Sequence, residues 1–115
     1  MSVTIYHNPR CSKSRETLKL IEARGIKANI VEYLKTPPSS AELKAILKKL
    51  GLKPQDIVRN GEPLYAELGL KDRTLDDDAL IALLVKHPIL IERPIVVSGG
   101  KAAIGRPPES VLKIL

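Results

Sequence analysis

The only cysteine of the chain, Cys11, follows a short apolar stretch and a turn, and it precedes a helical pattern. Val3–Tyr6 contains β-branched residues and predicts a strand. Asn8 before Pro9 predicts a turn, because proline biases the preceding residue away from helix. The helical pattern then runs from the cysteine to Gly25, a residue typical of helix ends. Cys11 is therefore expected at or near the N-cap of the first helix.

A cysteine in this position has the chemistry of a nucleophile. The first helical turn presents unsatisfied N–H groups and the positive end of the helix dipole, which stabilise a thiolate. Arg10, Lys13 and Arg15 add positive charge, so we predict a Cys11 pKa below its usual value of about 8.5. The same N–H groups can bind an oxyanion such as phosphate or arsenate. The alternative is a small buried apolar cysteine, which the polar and basic neighbours disfavour.

The composition indicates one compact domain over residues 1–115. The chain is 43% hydrophobic and 28% charged, which suits a globular protein with a core of its own. Aromatic residues make up only 3%, so this core must be aliphatic. No apolar run approaches the length of a membrane span, and the N-terminus lacks the pattern of a signal peptide. We expect a cytoplasmic protein without membrane association.

The counts of cysteine and histidine exclude two kinds of site. One cysteine cannot form an intramolecular disulfide, and one cysteine with two histidines does not supply a tetrahedral metal set. Three consecutive aspartates at 76–78 are either metal ligands or favourable charges at a helix start. The helix start is favoured, because consecutive residues on a helix point in different directions. We expect no metal and no bound cofactor.

The net charge of +6 permits nucleic-acid binding, but its distribution does not favour it. The basic residues are interspersed with acidic ones, and only three tyrosines are available for base stacking. A solvated surface or a small anionic substrate explains the charge as well. We expect no nucleic-acid partner.

The remaining pattern predicts a β-α-β unit, a block of helices, a hairpin and a last helix. Residues 28–34 predict a strand parallel to the first, and a capping box at 39–42 opens a helix that ends at Gly51. Short helical segments are expected near 54–58 and 65–68, and a longer helix after the aspartates. Residues 95–98 and 101–104 flank two glycines and predict a hairpin, and 106–115 predict a helix.

This order predicts an α/β thioredoxin-like fold. The expected sheet is mixed and four-stranded, built from the parallel β-α-β unit and the β-hairpin, with a C-terminal helix packed on it. Residues 1–35 and 88–115 would form the sheet and its helices, and residues 36–87 a helical insertion.

Five motifs together resemble the glutaredoxin-linked arsenate reductases of the ArsC family. They are HNPxCxxSR at 7–15, YLKTPP at 33–38, ELGL at 67–70, HPILIxRPIV at 87–96 and GRP at 105–107, where x is any residue. The motifs recur in order from the first strand to the last helix, so the resemblance covers essentially the whole chain.

The resemblance implies arsenate reductase activity on a thioredoxin-like fold with a helical insert. It also implies a cis peptide before Pro94, at the one bond type where cis costs little. The implied site residues are the catalytic Cys11, the oxyanion-binding Arg59, Arg93 and Arg106, and His7 and Ser14, which tune or contact the cysteine.

The implied partners are arsenate, glutathione and glutaredoxin. Arsenate carries about two negative charges, and arginine binds such groups through two parallel hydrogen bonds. The Cys11 thiolate would attack arsenic(V). Because the chain has no second cysteine, glutathione would reduce the adduct, leaving arsenite and a mixed disulfide that glutaredoxin resolves. We expect a monomer.

Two alternative functions are open at this point. The first is a general glutathione-dependent thiol reductase, which shares the cysteine chemistry but acts on a different electrophile. The second is an Spx-type regulator that binds RNA polymerase. These regulators commonly switch through a Cys-x-x-Cys pair, whereas Ser14 occupies the second position here and cannot form the disulfide. An enzyme is therefore favoured.

Overall fold

The computed structural model of the protein describes residues 2–115. One sheet has the strand order β2-β1-β3-β4. Its strands are β1 (Val3–Tyr6), β2 (Asn29–Val31), β3 (Ile95–Ser98) and β4 (Lys101–Ile104). β1 pairs with β2 in parallel, and the pairs β1–β3 and β3–β4 are antiparallel. The expected mixed four-stranded sheet and α/β thioredoxin-like class are confirmed.

Local sequence signals account for most of the helix boundaries. The α-helices are α1 (Ser12–Ala23), α2 (Ser40–Leu50), α3 (Pro63–Glu67) and α4 (Asp77–Lys86). Shorter 3₁₀ helices span Pro54–Ile57, Leu70–Asp72, Pro88–Leu90 and Pro108–Ile114. The helix α2 has the predicted capping box, and Gly51 ends it with a φ of +69°. Asp76 is the N-cap of α4, so the aspartates lie at a helix start.

Contacts within the chain define two compact units. The first contains the segment up to Thr36 and Arg93–Leu115, and therefore the whole sheet. In this unit α1 and the C-terminal 3₁₀ helix pack on each other. The aliphatic core of this unit consists of Val3, Ile5, Ile21, Val96, Ala103 and Val111.

The second unit, Pro37–Glu92, is helical. In this unit α4 packs against α2 and against the 3₁₀ helix Pro54–Ile57. Leu43, Ile57 and Leu84, one from each of these elements, are completely buried. The single-domain organisation with an insertion at 36–87 stays a prediction.

Two elements differ from their sequence predictions. The strand β2 has only three residues, because the N–H groups of Lys35 and Thr36 both donate to the Glu32 carbonyl and turn the chain away from the sheet. The last helix, Pro108–Ile114, is a 3₁₀ helix. Its buried Val111 still reaches the core, so the element has the expected place with a tighter winding.

Among residues 2–115, no helix combines the length and apolar character needed to span a membrane.

Candidate active site

Cys11 lies where the turn after β1 enters α1. It is the N-cap of α1, with extended backbone angles of φ −93° and ψ 123°. Its N–H donates to the Asn8 carbonyl at 3.0 Å, and its own carbonyl accepts the Arg15 N–H at 3.0 Å. The side chain is neither fully buried nor fully exposed. The thiol is thus held by the backbone and is still accessible.

The surroundings of Cys11 lower the pKa of its thiol. Burial raises this pKa, but the backbone N–H of Ser14, the Arg93 side chain and the backbone N–H of Lys13 lower it, and together they prevail. The thiol makes no capping hydrogen bond to the first turn. The two N–H groups instead stabilise the sulfur once it is ionised. The predicted lowering of the Cys11 pKa is confirmed.

The cause of this lowering differs in part from the sequence analysis. The side chains of Arg10, Lys13 and Arg15 were expected to contribute, but none of these three exposed side chains is among the groups that lower the pKa of Cys11. Arg15 instead donates from Nη1 to the Pro9 carbonyl at 2.9 Å and so holds the turn. The guanidinium that lowers the pKa comes from Arg93.

Arg93 and Arg106 both reach the sulfur. Arg93 donates a hydrogen bond to Cys11 and adds a favourable charge interaction. Arg106 Nη2 lies 3.7 Å from Cys11 Sγ, and its Nε donates to the Arg93 carbonyl at 2.8 Å. Both residues precede cis prolines, at Arg93–Pro94 and Arg106–Pro107. The cis bond at Pro94 was predicted and is confirmed, and the second was not predicted.

His7 and Ser14 form a buried polar pair beside the turn. Ser14 Oγ lies 2.7 Å from His7 Nδ1 and accepts the Asn8 N–H at 3.0 Å. Burial lowers the pKa of His7; Glu32 opposes this effect and Arg15 reinforces it, and the net shift is downward. The Ser14 hydroxyl is engaged with His7 and Asn8, and Ser14 acts on Cys11 through its backbone N–H.

Asn8 has a structural role that the sequence analysis missed. Its Oδ1 accepts the Arg10 N–H at 3.0 Å, and its backbone contacts Ser14 on one side and Cys11 on the other. The side chain is buried. An asparagine before a proline, two residues upstream of an N–H that needs an acceptor, is the signal that could have identified it.

A close backbone approach supports the segment between the two arginines. The Gly105 N–H donates to the Pro94 carbonyl at 2.9 Å. A Cβ at Gly105 would overlap Thr17 Oγ1 and would lie 2.8 Å from Pro94 Cγ. Thr17 is itself completely buried in α1. Only glycine fits between the helix and the proline ring.

Arg59 belongs to the helical unit, where two carboxylates surround its guanidinium. Arg59 Nη1 donates to Glu92 Oε1 at 2.7 Å, and Glu62 Oε1 lies 3.9 Å from Arg59 Nε. The structure therefore brings together Cys11, Arg93 and Arg106, and it gives Arg59 an ion-pair environment of its own.

Among the described residues, no group of three or more His, Cys, Asp or Glu side chains is placed to hold a metal ion.

Cys11, Arg93 and Arg106 together offer the chemistry of a thiolate beside two arginines. A thiolate is a strong nucleophile. Arginine binds anionic oxygens with geometric specificity. The arrangement suits attack on an electrophile that carries anionic oxygens.

Comparison with known proteins agrees with this chemistry. The chain matches the ArsC family over residues 6–114. An arsenate reductase of Neisseria meningitidis serogroup A is 53% identical over 114 residues, which cover 98% of this chain and 97% of that protein. The uncharacterized protein YfgD of Escherichia coli K12 is 54% identical over 114 residues, 98% of this chain and 96% of that protein. The solved structure of an arsenate reductase from Vibrio cholerae has 57% identity and a TM-score of 0.95, covering 100% of this chain and 98% of that one. On this evidence the chain belongs to the ArsC family.

Proposed function

We propose that this protein is an arsenate reductase that uses Cys11 as its nucleophile and glutathione as its reductant. The observation that carries the proposal is the contact of Cys11, whose pKa is lowered, with both Arg93 and Arg106. The relatives named as arsenate reductases support the choice of substrate. Two arginines beside a thiolate suit a dianionic tetrahedral oxyanion better than a neutral electrophile.

The first step joins Cys11 to the substrate. The thiolate attacks arsenic(V), a sulfur–arsenic bond forms, and one arsenate oxygen leaves as hydroxide or, after protonation, as water. Arg93 and Arg106 hold the remaining oxygens and balance the negative charge that gathers around arsenic. The arginine that favours the thiolate in the free enzyme thus also favours the dianion beside it.

The second step consumes glutathione. Its thiolate attacks the Cys11 sulfur, the sulfur–arsenic bond breaks, and its electron pair stays on arsenic, which leaves as arsenite. Each of the two sulfurs loses one electron, so the two-electron reduction of arsenic is balanced by the mixed disulfide. A glutaredoxin thiolate then takes the glutathione by disulfide exchange and regenerates the Cys11 thiolate.

We assign supporting roles to the other predicted residues. Arg59 is the third oxyanion-binding arginine of the proposal. His7 and Ser14 are positioning residues: their hydrogen bond fixes the start of α1, and with it the Ser14 N–H that stabilises the thiolate. We further propose that the enzyme acts as a monomer in the cytoplasm, where glutathione keeps thiols reduced.

The test of the proposal is arsenite production from arsenate, with the native protein compared with Cys11→Ser. Turnover that needs Cys11, glutathione and glutaredoxin supports the proposal. Arg106→Lys keeps the charge but loses the planar fork, so we expect the KM for arsenate to rise by about tenfold. Arg24→Lys, at an exposed position beyond α1, is the matched control and should behave as the native protein.

The same experiment separates the alternative function. Suppose that the folded protein produces no arsenite, while Cys11 still forms a mixed disulfide with glutathione disulfide and glutaredoxin releases it. That result would reject arsenate as the substrate and assign the protein as a general glutathione-dependent thiol reductase.

A further inference from the structure

The segments that carry Arg59 and Glu92 lie side by side in the helical unit. The Arg59 N–H donates to the Leu90 carbonyl at 2.7 Å, and the Glu92 N–H donates to the Ile57 carbonyl at 2.8 Å. Val58 and Ile91 form an antiparallel bridge between these two hydrogen bonds. The backbones of Arg59 and Glu92 are thus held in adjacent segments, and the Glu92 carboxylate accepts the Arg59 Nη1 hydrogen bond at 2.7 Å.

Two carboxylates already lie beside Arg59. Glu92 Oε1 lies 2.7 Å from Nη1, and Glu62 Oε1 lies 3.9 Å from Nε, so any further anion at this guanidinium comes close to negative charge. The side chains of Arg59, Glu62 and Glu92 are only 23%, 18% and 27% exposed, respectively. Solvent therefore screens these charges less than it screens a surface pair.

The hydrogen bonds of the Arg59 guanidinium are only partly used. Nη1 is bonded to Glu92, but the buried Nε–H has no hydrogen-bond acceptor among residues 2–115. The Glu62 carboxylate at 3.9 Å is too distant for a hydrogen bond. The Arg59 Nε–H can therefore still donate to an anionic oxygen, but an incoming oxyanion would lie close to the carboxylate that already accepts from Nη1.

We propose that Glu92 sets the affinity of the protein for small inorganic oxyanions, because its carboxylate competes with them for Arg59. This inference rests on the oxyanion-binding role that the proposed function gives to Arg59. An oxyanion that approaches Arg59 meets the negative charge of the carboxylate that already accepts the Nη1 hydrogen bond. Binding of arsenate, sulfate and phosphate is therefore weakened to a similar degree.

The substitution Glu92→Gln tests the proposal with little structural change. The amide oxygen of glutamine can still accept the hydrogen bond from Arg59 Nη1, but the negative charge is gone. We expect the dissociation constant for sulfate, measured by calorimetry, to fall by about threefold to tenfold, which corresponds to about 0.7–1.4 kcal/mol. The KM for arsenate should fall by a similar factor with little change in kcat.

Two comparisons make the result specific to Arg59. Asp78→Asn removes the same charge from the same unit and should leave sulfate binding unchanged. Asp78 pairs with Lys44 at the surface, where the Lys44 side chain is 53% exposed and the Asp78 side chain is 81% exposed. In an Arg59→Gln background, Glu92→Gln should no longer tighten sulfate binding. A urea unfolding curve for each variant establishes that it is folded.

Four outcomes would overturn the inference. Weaker sulfate binding by Glu92→Gln would make Glu92 a residue that orients Arg59 for the anion. Equal tightening by Asp78→Asn, or tightening that persists without Arg59, would reduce the effect to net charge. No change in sulfate binding would remove Glu92 from anion recognition. The sulfate measurements do not require turnover, so the inference and the reductase proposal can fail separately.

Discussion

Cys11 combines three properties that bear on the reactivity of its thiol. It is partly accessible, it begins a helix, and it contacts two arginines that lie far away in the sequence. Burial alone would keep its thiol protonated, and the pKa is lowered only because the first-turn N–H groups and Arg93 together outweigh burial. The reactivity of the residue is therefore a property of the folded chain.

Arg93→Gln should raise the pKa of Cys11, because it removes both a hydrogen bond and a positive charge from the thiolate. The thiolate fraction rises with pH through the pKa, so the pH profile of iodoacetamide alkylation should shift to higher pH in this variant. In the native protein, the midpoint of the alkylation profile should lie at a lower pH than that of a free thiol. An unchanged profile in Arg93→Gln would contradict the assignment, and Arg24→Gln is the control.

The helices and strands of the protein depend to different degrees on interactions within a few residues and on contacts between distant parts of the chain. The boundaries of α2 are determined by residues at its own ends, since Ser39 Oγ accepts the Glu42 N–H at 3.1 Å and Gly51 ends the helix. The hairpin β3–β4 has the predicted boundaries because Gly99 adopts a φ of +60° in its turn. Such elements are predictable because every interaction that defines them spans only a few residues.

Ser39→Ala should destabilise the protein by about 1 kcal/mol, because it leaves a helix N–H without its capping acceptor. The next residue, Ser40, is exposed and lies inside the first turn of α2. Ser40→Ala is therefore the matched control and should be close to neutral. Urea unfolding of both variants is the measurement, and equal stabilities would argue against the capping box.

Gly105→Ala should destabilise the sheet-containing unit by about 1–3 kcal/mol, because the added methyl group overlaps Thr17 and the Pro94 ring. Gly100→Ala is the matched control, since a Cβ there meets no atom within 4 Å. Thermal unfolding compares the two. A Gly105 variant as stable as the Gly100 variant would show that the backbone can shift at no cost.

At the scale of the whole molecule, the fold class and the position of Cys11 at the start of α1 were predicted from the sequence and are found in the structure. The contact of Arg59 with Glu92 was not predicted, because Glu92 lies 33 residues away and only the fold brings the two together. For the same reason the contribution of Arg93 to the lowered Cys11 pKa was missed, whereas that of the first-turn N–H groups was predicted. Local charge is visible in a sequence, whereas its distance and screening are not.

The net charge of +6 should steer anions toward the protein. We expect the rate of the Cys11 reaction with anionic glutathione disulfide to fall as ionic strength rises above about 0.1 M, where the Debye length is about 10 Å. The reaction with neutral iodoacetamide should not change. If both reagents respond equally to salt, long-range attraction plays no part.

Because Cys11 is the N-cap of α1, the ionisation of its sulfur also contributes to the stability of the folded protein. The thiol form leaves the helix start without a side-chain cap, and ionisation supplies the missing negative charge. Because the folded pKa lies below the unfolded one, the unfolded chain binds more protons between these two values, and stability rises with pH across this window. A neutral group attached to the sulfur would abolish this gain, so that urea unfolding of the alkylated protein should lose its dependence on pH in the same range. Alkylation of Cys11 would thereby also remove a stabilising negative charge from the first turn of α1.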